Sequence, residues 1–127
     1  MRFMTLVKSA ENYGPPPKEL IEAITRLGEE GTRAGFLLQT GGLLPTAMGA
    51  RVRLSGGKLS VTDGPFTESK ELIGGFAIFE VKSRDEAVEQ TVCFMELHRR
   101  HWPAWEGETE IRPMFDGMDP QPGCGKL

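Results

Sequence analysis

Three observations predict an α+β domain, an antiparallel sheet with two helices on one face and an inserted β-hairpin. They are four short apolar strand patterns, two helical stretches between them, and a mirrored alternation of apolar residues around Gly56-Gly57. Phe3 to Val7 reads as the first strand, closed by the polar loop Ser9 to Gly14. Pro15-Pro16-Pro17 stops any extension and suits the entry to a helix. From Lys18, Leu20, Ile21, Ala23, Ile24 and Leu27 recur at helical spacing, and Gly28 and Gly31 carry the stripe toward Ala34. Gly35 ends that helix, Phe36 to Thr40 forms a second strand, and Gly41-Gly42 opens a loop to Ala50.

Val52 and Leu54 mirror Leu59 and Val61 about Ser55-Gly56-Gly57-Lys58, with Arg51, Arg53, Ser60 and Thr62 between them. This is a half-exposed two-stranded ribbon closed by a primed turn. A strand follows from Gly75 to Val81, and Ser83 with Glu86 makes a capping box for a second helix. At about 100° per residue, Ala87, Thr91, Phe94, Met95, His98 and Trp102 fall on one stripe of that helix. Gly107 to Phe115 gives a last strand. Residues 1–115 thus make one domain, and 116–127 a tail rich in Gly and Pro. The order strand, helix, strand, ribbon, strand, helix, strand is that of a ferredoxin-like domain.

Composition narrows the function classes. The 127 residues carry a formal net charge of −3, with a pI near 5.4. No basic stripe exists, which argues against nucleic acid or an anionic membrane as partner. The first apolar run ends at Lys8, too short for a signal peptide or a membrane span. Cys93 and Cys124 lack metal-site spacing and read as free thiols, so a cytoplasmic chain is expected. His98 and His101 share a helix face but lack a third ligand at recognisable spacing, so no metal is expected. No phosphate-cradling glycine motif occurs, and no cofactor is expected.

The run Asp63-Gly64-Pro65-Phe66-Thr67-Glu68-Ser69-Lys70-Glu71, closed by Gly74-Gly75-Phe76, packs charges of both signs into a turn between apolar strands. It resembles the DGPF signature of the YCII-related family, small dimeric proteins of the ferredoxin-like, dimeric α/β-barrel type. The resemblance covers about the first two-thirds of the chain. It implies a homodimer, and an Asp/His pair acting, in some relatives, in elimination or isomerisation of ring substrates. This chain has no histidine before His98, so the pair's histidine does not carry over in the N-terminal half.

Two functions are therefore expected. In the first, a small anionic or aromatic molecule enters a cleft at this loop and is bound, or transformed by proton transfer. Asp63 would be the acid/base, His98 its partner, Lys70 the anion anchor, and Thr40, Phe66, Glu71 and Trp102 further ligand contacts. In the second, the domain is a non-catalytic regulatory or interaction module. Proteins with this signature occur near extracytoplasmic-function sigma factors, and fusions between the two are known. Each candidate has a plainer reading beside it. Asp63 can simply close an Asx-type turn, Glu68, Lys70 and Glu71 can form a solvated charge cluster, and His98 can be a hydrogen-bonded core residue.

Overall fold

The computed structural model describes residues 1–66 and 71–115. Glu68, Lys70, Cys124 and the expected tail lie outside the described residues. A four-stranded antiparallel sheet has the order β2-β5-β1-β6, built from β1 (Arg2–Ser9), β2 (Leu37–Gly42), β5 (Leu72–Glu80) and β6 (Glu108–Pro113). Helices α1 (Lys18–Ala34) and α2 (Arg84–His101) follow β1 and β5. The second sheet is the ribbon of β3 (Ala50–Ser55) and β4 (Lys58–Asp63). This is the ferredoxin-like arrangement with an inserted hairpin, and the sheet is open rather than closed into a barrel.

The strand period of two decides which side chains meet the helices. Phe3 and Thr5 are buried, and their register partners Phe79 and Ala77 on β5, and Ile111 on β6, share that face. Phe3, Val81 and Ala87 form one cluster of the core, with Phe36, Phe79 and Ile111 packed against them. Burying Phe3 and Leu20 contributes about 1.5–3 kcal/mol each. The α2 stripe faces the sheet as its spacing predicts, for Ala87, Thr91 and His98 are its buried residues. The Ser83 hydroxyl accepts from the Glu86 N–H at 3.2 Å. The Glu86 carboxylate returns the bond to the Lys82 N–H at 2.9 Å, one residue earlier than a regular capping box.

Four expectations need correction. Ile21 is half exposed and does not belong to the buried stripe of α1, which is Leu20, Ala23 and Gly31. Strand β5 begins at Leu72, not Gly75, because Leu72 and Ile73 pair with Ser9 and Lys8 past a register shift in which Gly74 of β5 has no partner in the β1 ladder. Strand β2 extends through Gly41 and Gly42, which pair with Phe76 and Gly75. These glycines fill the ladder. A side chain at Gly41 would stand 3.0 Å from the Phe76 ring. The ribbon, finally, is exposed on both faces: Val52, Leu54, Leu59 and Val61 retain 68–73% of their surface. Its register is the predicted one, with Val52 opposite Val61 and Leu54 opposite Leu59. Gly56 and Gly57 take φ of 58° and 77°, as a primed turn demands.

Candidate functional site

Antiparallel pairing sets the C-terminal ends of β1 and β2 beside the N-terminal ends of β5 and β6. Ser9 thus faces Leu72, Gly42 faces Gly75, and Lys8 faces Glu108. The connections at this end surround an open cleft of about 1030 Å³. Lys8, Glu11, Tyr13, Pro65, Glu71 and Glu108 are among its lining residues, with Glu106 and Gly107 completing the rim. Among the described residues, four carboxylates therefore face one ammonium. That ammonium is engaged, since Lys8 Nζ donates to Glu110 Oε1 at 2.5 Å. The bond raises the Lys8 pKa and, with a contribution from Arg112, lowers that of Glu110. The cleft's described walls favour a neutral or cationic guest over an anion.

The turn carrying the DGPF letters is fixed from below. Gly64 N–H donates to Gly49 O at 2.9 Å, and the peptide joining Gly64 to Pro65 is cis. A Cβ on Gly64 would fall 1.6 Å from the Thr46 carbonyl oxygen, so only glycine fits. The Thr46 hydroxyl accepts from the Phe66 N–H at 3.1 Å, and the Arg51 guanidinium lies 3.9 Å from the Phe66 ring centroid. Phe66 thus lines a separate depression of about 240 Å³ with Arg51, Arg53, Ser60, Thr62 and Pro65.

Behind the cleft runs an aromatic column. Tyr13 meets Trp102 edge-on with centroids 6.2 Å apart, and Trp102 stacks on Trp105 at 6.2 Å. His98 lies between Trp105 and Phe94, 4.6 Å from each. Its Nδ1 donates to the Phe94 carbonyl at 3.0 Å, which leaves Nε2 with the lone pair. Among the described residues no buried side-chain nitrogen or oxygen lacks a partner. Burial lowers the His98 pKa, and the bond to Phe94 opposes this in part.

The expected site residues divide accordingly. Glu71 lines the cleft, and Trp102 stands behind it through Tyr13. Thr40 does not line it, because its hydroxyl donates to Phe76 O at 3.0 Å within the sheet. Asp63 ends β4 opposite Ala50, is exposed, and makes no side-chain hydrogen bond among the described residues. Among the described residues it closes no Asx-type turn. No contact joins Asp63 to His98, whose neighbours are Phe94 and Trp105. The intrachain pairing expected of them is not formed. Lys8, Glu11, Tyr13, Glu106 and Glu108 were not foreseen. Their signal was positional, since each lies at or just beyond a strand end that a ferredoxin-like order brings to one edge.

Among the described residues no helix is long and apolar enough to cross a membrane. An uncharacterised protein of Rhizobium meliloti (strain 1021) is 43% identical over 56 residues, 44% of this chain. The match spans 45% of that relative's own length. The YCII-related domain family matches residues 1–92, from β1 into α2 and across the turn that borders the cleft. With that extent and that turn together, the chain belongs to the YCII-related domain family.

Proposed function

We propose that the chain binds a small polar molecule in the sheet-end cleft, where Glu71 and its neighbouring carboxylates can exchange protons with it. The observation that carries this reading is the cleft itself, which draws its walls from separate segments and is flanked by both ends of the signature loop, Pro65 and Glu71. Among the described lining residues glutamates outnumber lysine, which favours a guest with a cationic group, and Tyr13 offers a ring face or edge for it. Asp63 enters such chemistry only if a second copy brings it to the cleft. Dimerisation through the uncovered sheet face belongs to the same reading: Met4, Leu6, Phe76 and Ile78 share the face opposite the helices.

Amide chemical shifts recorded while adding benzylamine, putrescine or benzoate test the reading. Tyr13, Glu71 and Gly107 should move with the amines and not with benzoate. If none of the three probes perturbs them at millimolar concentration, the binding reading falls. The second reading, a protein-interaction module, draws on the exposed apolar ribbon, and a sigma-factor region is the partner class it names.

A further inference from the structure

We infer that the β3–β4 ribbon is an arm that clasps a second copy of this chain; the inference rests on the dimer proposed above. An isolated two-stranded hairpin is marginal in water. This one belongs to a separate sheet and leaves Val52, Leu54, Leu59 and Val61, all on one face, 68–73% exposed. Seven of the fourteen large apolar side chains exposed among the described residues lie on the ribbon or in the segment from Leu43 that leads into it. Exposure is therefore concentrated on the arm and its roots rather than scattered.

Area and charge identify the occupant. At about 60–120 Å² per fully exposed aliphatic side chain, the arm's apolar face offers roughly 170–340 Å². A stable interface needs about 800 Å² from each partner, so a globular partner held by the arm alone falls short. A second copy supplies more. Two-fold symmetry makes every contact twice, so each copy gives one arm and receives one, and the half-buried Met4, Leu6, Phe76 and Ile78 add an apolar sheet face. The fields also match. Arg51, Arg53 and Lys58, on the ribbon face opposite the four apolar side chains, make the arm basic against a single Asp63, whereas the described part of the sheet end is lined by Glu11, Glu71, Glu106 and Glu108 around Lys8. Such complementarity orients one copy on the other.

Light scattering on the wild type and on Leu54→Asp/Leu59→Asp, joined to amide hydrogen exchange of the wild type on dilution, tests the arm. The expected result is a wild-type dimer, a dissociation constant at least 100-fold higher in the variant, and arm amides exchanging at least tenfold faster once dilution separates the copies. Exchange on the unsubstituted protein keeps the test valid should the variant misfold. A wild-type dimer whose arm exchange ignores dilution, with unchanged affinity in a folded variant, leaves the sheet-face dimer standing and overturns the arm. A monomeric wild type overturns both. Arm amides protected in that monomer would mean that residues 116–127 or another segment of the same chain cover the arm.

Discussion

Glu11 holds Thr46 by two bonds across 35 residues of sequence: the Thr46 N–H donates to Oε2 at 2.8 Å and its hydroxyl to Oε1 at 2.5 Å. The same hydroxyl accepts the Phe66 N–H. One carboxylate in the loop after β1 thereby fixes the short 3₁₀ turn Thr46–Met48 and, through it, the signature turn. The cleft wall is held by this relay. Replacing Thr46 with Val should raise Phe66 amide exchange, and a double-mutant cycle with Glu11→Gln should show a coupling of about 1 kcal/mol. Additive effects on urea unfolding would mean that the bonds contribute nothing.

Gly64→Ala should cost about 1–3 kcal/mol, since its methyl overlaps the Thr46 carbonyl and the turn must move. The φ of Gly64 is not positive, so the penalty is steric rather than conformational. A melting temperature lowered by about 5–10 °C is the expected readout, and an unchanged one would show that the turn yields freely.

Stability should decline as pH falls below the ordinary histidine value of 6.5. Burial depresses the folded-state pKa of His98, so the unfolded chain takes up its proton first. The resulting stability is fully present above 6.5 and is lost progressively as pH drops toward and through the lower folded value. Glu110, lowered by Lys8, acts in a separate window beginning near 4.5. Urea unfolding of the wild type and of His98→Phe at pH 7.5 and 5.5 checks this: the wild type should weaken on acidification, and the variant's profile should be flatter.

Asp63→Asn should leave the His98 titration midpoint unchanged in NMR, because no contact or carboxylate field from Asp63 bears on the imidazole. A downward shift on removing the charge would show that the two groups meet after all, across a dimer.

Elements with a strong local period were legible in the sequence. The pairing of Val52 with Val61 follows from alternation and a two-glycine turn, and the burial of Ala87, Thr91 and His98 from the 3.6-residue period. Both depend on neighbours a few residues apart. The ends of β2 and β5 were not legible, because Gly41-Gly42 and Gly74-Gly75 carry the local mark of loops while a cross-strand partner places them in the ladder.

The site followed the same division. The letters of the signature loop determined the family, and helix periodicity determined that His98 points inward. Tertiary structure alone decided which groups the loop meets. Asp63 stands apart from His98, Glu11 reaches Thr46, and Lys8, Glu71 and Glu108 converge at one sheet edge. The physical reason is that backbone periodicity specifies which way a side chain faces, whereas the order and register of distant strands specify what it faces.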